Sequence, residues 1–268
     1  MRPRPFADGA PDTVARFNAR AGDYARFRPS YPEAAIEAIL HGLRRASDAR
    51  PTVVDVGAGT GISTALLAAA GARTIGVEPN DEMRAVACEA GLDVRPGTAI
   101  VLPLADGEAD AIACFQSFHW FASREVLGEF ARVLRPSGRV ALVWNERDDG
   151  HPFTRGYGEA VDKFGKRTAF ASYSDAAAML RALLPAGPFA TVRALVVPNA
   201  QRLDREGLFG RVRSTSYAPR EGPEHTAMVD ALGALFEQHC DAAGTIEIRY
   251  HTEVYLLDKG DGSRGGSA

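Results

Sequence analysis

The chain has 268 residues, 46% of them hydrophobic and 24% charged, with a formal net charge of −3. This length allows one sizeable core with insertions, and the basic residues are scattered rather than clustered, which argues against a nucleic-acid partner. The three cysteines are far apart in sequence and predict reduced thiols rather than a disulfide framework or a zinc site. Because neither a secretory signal nor a long apolar run is evident, we expect a cytoplasmic protein with no membrane contact.

The first half of the chain alternates short apolar segments with helical ones. Helices are predicted at 62–70, from Asn80 or Asp81 to Ala90, and after Ser123 as N-cap. Strands are predicted at 52–56, 74–78, 92–95, 109–114 and 139–144. This repeated order predicts an α/β fold with a doubly wound, mostly parallel sheet.

The second half has weaker periodicity. Its predicted helices span 156–164, 174–184, 205–212 and 224–241. A strand is predicted near Val192 to Val197, and the alternating apolar residues from Thr245 to Leu257 predict a late edge strand or hairpin.

A glycine-rich loop follows the first predicted strand. Gly57, Gly59 and Gly61 allow a ligand to approach the backbone closely, and the N-terminus of the following helix favours hydrogen-bond acceptors. Their G-x-G-x-G spacing differs from the dinucleotide fingerprint, whose third glycine would fall at Ile62. The loop therefore predicts a nucleotide-like ligand and makes a nicotinamide cofactor the weaker alternative.

Glu78 ends the next predicted strand, 21 positions after Gly57. At that edge of an open α/β sheet a carboxylate can accept hydrogen bonds from ribose hydroxyls. An adenosine-containing cofactor of either kind would be compatible with this residue.

Several motifs in this order resemble the class I S-adenosylmethionine-dependent methyltransferases. They are Asp55 to Gly61, Val77-Glu78-Pro79, Leu102-Pro103-Leu104 and Leu134-Arg135-Pro136-Ser137-Gly138. The segments Gln116 to Phe121 and Tyr24 to Pro32 are similar to the type-11 branch that includes trans-aconitate-methyltransferase-like enzymes of small molecules. The resemblance implies a seven-stranded Rossmann-like sheet with a helical cap, and S-adenosylmethionine as cofactor with S-adenosylhomocysteine as product.

The resemblance also implies a set of cofactor-binding residues. Asp55 and the glycine loop, with Gly57, Ala58 and Gly59, would hold the methionine portion, and Glu78 beside Pro79 the ribose. The remaining cofactor contacts would come from Tyr24, Arg28, Thr98, Ala99, Gln116 and Ser117. Thr98 departs from relatives that carry an acid there, so its hydroxyl would bind adenine more weakly.

The acceptor side is less constrained by the sequence. His119 lies just past a strand end and is the leading candidate for a catalytic base, although a structural histidine is an equal alternative. Tyr31, Trp120, Arg147 and Tyr217 are further candidate substrate contacts, with Arg147 suited to an acidic acceptor. The other histidines lack metal-ligand spacing, so no metal is expected.

Five regions are predicted. They are an N-terminal lid or cap at 1–50, a cofactor-binding core at 51–146, a cap and acceptor-site region with a late core strand at 147–240, a final core strand at 241–258 and a disordered tail at 259–268. The predicted function is methylation of a small molecule such as a natural product or organic acid. The alternatives are a homologue that uses the cofactor for another reaction or only binds it, and a nicotinamide-dependent oxidoreductase.

Overall fold

A computed structural model describes residues 21–43, 50–165, 176–185, 187–215 and 217–260. One mixed sheet contains all its strands, in the order β3-β2-β1-β4-β5-β7-β6. The strands are β1 (Thr52–Val56), β2 (Arg73–Val77), β3 (Val94–Arg95), β4 (Ala109–Phe115), β5 (Leu134–Arg147), β6 (Phe189–Leu203) and β7 (Ile246–Lys259). The first five strands run parallel to one another, whereas β7 is antiparallel to both β5 and β6.

Helices cover both faces of the sheet. They are α1 (Ala21–Phe27), α2 (Glu33–Leu40), α3 (Ile62–Ala69), α4 (Asp81–Glu89), α5 (Arg124–Val133), α6 (Pro152–Phe164), α7 (Ala176–Leu183), α8 (Arg205–Arg213) and α9 (Gly222–His239). The predicted doubly wound, mostly parallel seven-stranded sheet is confirmed.

Alternation along the central strands divides the core between the two faces. Val54 and Ile112 pack on one side with Phe130 of α5, whereas Val53 and Ala113 pack on the other with α2 and α3. Both β1 and β4 are buried along their whole length, as strands covered on two faces must be. The carboxyl ends of β1 and β4 are therefore held in place by a well-packed interior.

A third apolar cluster joins the later helices to the ends of β6 and β7. Phe153 of α6, Leu208 of α8 and Met228 of α9 pack against Ile248 of β7. This cluster forms the helical cap and continues directly from the sheet.

The capping predictions hold at two helices. The Asn80 side chain accepts from the Met83 amide, and the Ser123 side chain accepts from the Val126 amide. The helices of the second half lie within a few residues of their predicted bounds, although positions 174 and 175 fall outside the described residues.

The prediction that the last strand lies at the sheet edge was wrong. β7 is inserted between β5 and β6, and β6 is the edge strand and much longer than the predicted segment at 192–197. Strand order depends on pairing between distant segments, which local alternation does not encode.

The predicted tail begins too early. Lys259 belongs to β7, and its ammonium donates to the carbonyl oxygens of Ala131 and Leu134 at 2.7 and 2.8 Å. The rest of the predicted tail, 261–268, lies outside the described residues, as do 1–20 and 44–49 of the predicted lid. In the described part of the chain, no helix has the length and apolarity needed to cross a membrane.

Candidate active site

The glycine loop joins β1 to α3 and forms one wall of a cavity at the carboxyl ends of β1 and β4. Gly57, Gly59 and Gly61 have φ values of +74°, +57° and +86°, a region that side chains disfavour. A Cβ atom added at Gly57 would lie 2.6 Å from the Ser117 Cβ, and one at Gly61 would lie 2.4 Å from the Leu92 Cδ1. A Cβ atom added at Gly59 would make ordinary van der Waals contacts, 3.8 Å from Met83 Sδ and 4.0 Å from Tyr24 Cε1.

The central cavity, as we name it, is bounded by three parts of the chain. The loop side consists of Gly57, Ala58, Gly59, Thr60, Ile62 and Ser63. The N-terminal side consists of Tyr24, Arg28, Pro29 and Tyr31. Strand ends and the cap contribute Phe115, Gln116, Asn145, Arg211 and Tyr250.

Glu78 is buried directly behind the glycine loop. Its carboxylate accepts from the Gly59 amide and the Asn80 amide, each at 2.9 Å. Burial raises the pKa of Glu78, and the two backbone donors counteract that rise. The carboxylate retains lone pairs for a further donor such as a ribose hydroxyl.

Asp55 lies deeper than the cavity wall. It is fully buried, and its Oδ2 accepts from Ser63 Oγ at 2.6 Å and Thr64 Oγ1 at 2.7 Å. Burial raises the pKa of Asp55 to about 6. These hydrogen bonds connect β1 to the start of α3. Asp55 was predicted to contact the methionine portion of the cofactor, but it does not line the cavity.

Gln116 follows β4 in a strained conformation. Its φ is +51°, which is unusual for a residue other than glycine, and its amide group donates to the Asn145 carbonyl oxygen at 3.0 Å. The neighbouring Ser117 donates to the Val56 carbonyl oxygen at 2.6 Å, so it braces the loop from behind. Gln116 lines the cavity and Ser117 supports its wall.

The N-terminal segment covers the cavity from the opposite side. The Arg28 guanidinium lies 4.6 Å from the centre of the Tyr24 ring and donates to the Ser214 carbonyl oxygen at 3.1 Å. Its Nε is buried and makes no hydrogen bond to any described residue. Asn145 and Asn199 both donate to the Ser30 carbonyl oxygen, which holds the segment on β5 and β6.

His119 does not fit the predicted role of base. Its Nδ1 accepts from the Trp144 indole N–H at 3.3 Å, and burial lowers its pKa to about 4. The side chain lies outside the cavity lining, with its ring 5.0 Å from that of Trp120. The geometry therefore supports the structural alternative for His119.

Two other predicted acceptor contacts also lie away from the cavity lining. Arg147 is paired with Asp162 of α6 at 3.1 Å, which satisfies the charge that was expected to meet an acidic acceptor. Tyr217 packs near Gly165 at the end of α6. Trp120 and the cofactor candidates Glu78, Pro79, Thr98 and Ala99 are likewise not among the residues that form this wall, although Glu78 contacts the loop from behind through the Gly59 amide.

Arg211 and Tyr250 line the cavity although the motifs do not single them out as contacts with a ligand. They come from α8 and β7, far from the glycine loop in sequence. Arg211 falls within the predicted cap and acceptor-site region at 147–240, whereas Tyr250 was predicted only as part of the final strand, and no local spacing links the two residues.

The chain is similar in sequence to known methyltransferases. The model of a methyltransferase domain family matches residues 54–142. The chain is similar to an uncharacterized methyltransferase of Mycobacterium tuberculosis, with 36% identity over 232 residues that cover 85% of this chain and 88% of the relative. An uncharacterized methyltransferase-like protein of Schizosaccharomyces pombe is 31% identical over 251 residues, covering 91% and 95%.

Solved structures share the fold at low sequence identity. A putative type II methyltransferase from Anaeromyxobacter dehalogenans is 18% identical, with a TM-score of 0.59, and covers 87% of this chain and 97% of that one. The YcgJ protein from Bacillus subtilis is 23% identical, with a TM-score of 0.53, covering 86% and 100%. The relatives in Mycobacterium tuberculosis and Schizosaccharomyces pombe show that the chain belongs to a methyltransferase family, and the solved structures show that it shares the methyltransferase fold.

Proposed function

We propose that this methyltransferase binds S-adenosylmethionine in the central cavity and transfers its methyl group to a small molecule. One observation supports the proposal most directly. The glycine loop, Arg28 and Gln116 meet around one cavity at the carboxyl ends of β1 and β4. Ligands of open α/β sheets bind at such strand ends.

The residues of the site fit the cofactor in shape and polarity. Gly59 lines the cavity with Tyr24, and its lack of a side chain leaves the backbone accessible to a ligand. The buried Arg28 Nε offers an unused donor for a carboxylate, and Glu78 offers acceptors for a ribose diol. We therefore assign the methionine end to Arg28 and the loop, and the ribose to Glu78.

When bound, the cofactor supplies a methyl group already activated by its sulfonium. The protein must then hold the acceptor in line with the bond that breaks and keep water out. The partly buried Tyr31 and the buried Phe115 form an aromatic wall with ring centres 4.7 Å apart, and Gln116 fixes the strand end beside it. These residues position the reactants.

A small acceptor suits the enclosed shape of this site. α1 covers it and packs on α8, where Phe27 lies against Gly210 and Asp23 pairs with Arg213 at 3.3 Å. The net charge of −3 favours neither nucleic acid nor an anionic membrane as partner. We propose a cytoplasmic enzyme of small molecules; its place in the trans-aconitate-methyltransferase-like branch stays a prediction.

The test is incubation of the purified protein with S-adenosylmethionine carrying an isotope-labelled methyl group and a fractionated extract of small metabolites. We expect the label in a low-molecular-weight product together with stoichiometric S-adenosylhomocysteine. Consumption of the cofactor without a methylated product would instead support another reaction of the same cofactor. Binding without consumption of the cofactor across all fractions would contradict the proposal.

A further inference from the structure

The guanidinium of Arg211 is the most unusual charged group of the cavity. The residue is 8% exposed, and its Nη1 donates to Thr215 Oγ1 at 3.0 Å and, more weakly, to Ser214 Oγ at 3.4 Å. Its Nε is buried without an acceptor among the described residues. The charge is therefore held in place by neutral hydroxyls, including the phenol of Tyr250, and no carboxylate of the described residues is among its neighbours.

Other half-buried arginines of the chain show how this charge is usually balanced. Arg147 pairs with Asp162, Arg139 with Asp258, and Arg132 with both Asp106 and Glu129. Within the described part of the chain, the groups around Arg211 are instead the phenols of Tyr157, Tyr217 and Tyr250. Because a buried cation without a counter-ion is costly, this site is built for an anion that arrives with a ligand.

Tyr250 lines the same cavity beside Arg211. Its Oη is buried and accepts from the Arg211 guanidinium, so its O–H proton remains available to a ligand. Burial raises the pKa of Tyr250, while the nearby Arg211 counteracts part of that rise. The phenol therefore keeps its proton at neutral pH and can donate it to an anion.

We propose that the methyl acceptor carries a carboxylate, and that Arg211 and Tyr250 bind this carboxylate as an anchor. The inference rests on the proposed function and names the class of acceptor for that site. The Nε edge of a guanidinium matches the two oxygens of a carboxylate. The anchored carboxylate is not the methylated group, because methylation would neutralise it and leave Arg211 buried and unpaired again.

The cofactor's own carboxylate is assigned to Arg28 because of its position. Arg28 stacks on Tyr24, whose Cε1 lies 4.0 Å from the place where a Cβ of Gly59 would be. The neighbours of Arg211 belong to α6, α8, β7 and the segment after α8. The two guanidiniums nevertheless lie close together, because Arg28 donates to the Ser214 carbonyl oxygen and Arg211 to the Ser214 Oγ. We therefore assign the methionine carboxylate to Arg28, on the side of Tyr24, and the acceptor carboxylate to Arg211, on the side of Tyr157 and Tyr250.

The test uses the full chain with ¹⁵N-labelled arginine, loaded with S-adenosylhomocysteine, and follows the Arg211 Nε–H signal by NMR. Acetate, benzoate and succinate are titrated beside acetamide, benzamide and succinamide, with inorganic phosphate as a further probe. We expect at least one carboxylate to shift the Arg211 signal to saturation, with its amide at least tenfold weaker. Phosphate binding more tightly than every carboxylate would overturn the assignment to a carboxylate.

Two variants separate binding from a structural role. Arg211→Met removes an unpaired buried charge, so we expect its Tm to equal or exceed that of the wild type while carboxylate affinity falls at least tenfold. Tyr250→Phe should weaken the same carboxylate several-fold and leave the affinity for S-adenosylhomocysteine unchanged. A large fall in Tm of Arg211→Met with unchanged carboxylate binding would show a structural residue and overturn the proposal.

The remaining outcomes distinguish this inference from the proposed function. If S-adenosylhomocysteine binds but none of the carboxylates moves the Arg211 signal, the acceptor inference is wrong and the cofactor assignment stands. If S-adenosylhomocysteine itself moves that signal and blocks the carboxylates, Arg211 serves the cofactor instead. If S-adenosylhomocysteine does not bind at all, the proposed function fails.

Discussion

The indole N–H of Trp144 donates to His119 Nδ1 across 3.3 Å, linking the end of β5 to the turn after β4. With Nδ1 used as an acceptor, the proton of the neutral imidazole lies on Nε2. Burial lowers the pKa of His119 to about 4, so the ring is neutral at physiological pH. This pair fixes the wall behind the cavity and leaves His119 a poor proton acceptor.

The first prediction concerns catalysis by His119→Gln. The glutamine carbonyl can replace Nδ1 as the acceptor of the Trp144 N–H, so we expect kcat to stay within about threefold of the wild type, whereas loss of a general base costs roughly 10²–10⁴-fold. The measurement is the steady-state rate with the acceptor found in the labelling assay. A drop of a hundredfold or more would restore His119 as the base.

The same pKa shift has a consequence for stability. The pKa of His119 in the folded chain lies below the ordinary value of 6.5, so its contribution is present above pH 6.5 and is lost as the pH falls towards 4. The loss is at most about 3 kcal/mol. Urea unfolding between pH 4 and 7 should therefore show a smaller pH dependence in His119→Gln than in the wild type.

The second prediction compares two glycines with positive φ. Gly57→Ala brings a Cβ within 2.6 Å of Ser117, whereas Gly71→Ala at φ +95° meets nothing within 4 Å. Both substitutions destabilise the folded chain through backbone strain of about 1–2 kcal/mol, but only Gly57→Ala displaces the glycine loop. We expect affinity for S-adenosylhomocysteine, measured by calorimetry, to fall at least tenfold in Gly57→Ala and to stay unchanged in Gly71→Ala. Equal affinities would contradict the role given to the loop.

The third prediction concerns the buried carboxyl of Asp55. Its pKa of about 6 in the folded chain lies above the unfolded value, so its contribution is present at pH 4 and is lost as the pH rises through 6. Asp55→Asn can still accept from Ser63 and Thr64. We expect this variant to be more stable than the wild type at pH 7.5, by up to about 3 kcal/mol, with the gain shrinking at pH 4.5. Urea unfolding at the two pH values measures it, and a gain that grows at low pH would refute the assignment.

The fourth prediction tests the contact between α1 and α8. Gly210→Ala places a Cβ 2.4 Å from Phe27, whereas Gly128→Ala in α5 meets nothing within 4 Å. Alanine in a helix is favoured over glycine by about 0.5–1 kcal/mol, so Gly128→Ala should raise Tm slightly. Gly210→Ala should displace α1 and weaken S-adenosylhomocysteine binding, because Tyr24 and Arg28 are carried by or follow that helix. Unchanged binding in both variants would show that α1 does not shape the site.

Much of the core could be predicted from the sequence because its determinants are local. Strand β1, the glycine loop and α3 are consecutive, and their apolar runs, positive-φ glycines and helix formers act within a few residues. Tyr24, Arg28, Tyr31 and Gln116 were found through motifs, and all four line the cavity. Family resemblance added what periodicity alone could not, namely the proposal of S-adenosylmethionine as the cofactor.

The misplaced features depend on pairs distant in sequence. Trp144 meets His119 from another strand, and Asp162 neutralises Arg147 from α6, so neither residue's role follows from its own segment. The position of β7 between β5 and β6 is a matter of strand pairing. The sequence around Arg211 does not differ from that around the surface arginines. Only the structure distinguishes it, because its side chain is buried and has no carboxylate partner among the described residues.

The most direct test of the cofactor site is calorimetric titration of S-adenosylhomocysteine into the wild type, Glu78→Ala and Glu82→Ala. Glu78 is buried against the Gly59 amide, whereas Glu82 is exposed in the first turn of α4. We predict one site per chain, with affinity at least tenfold lower in Glu78→Ala and unchanged in Glu82→Ala. No binding to the wild type, or equal affinity in all three proteins, would contradict the placement of S-adenosylmethionine at the glycine loop.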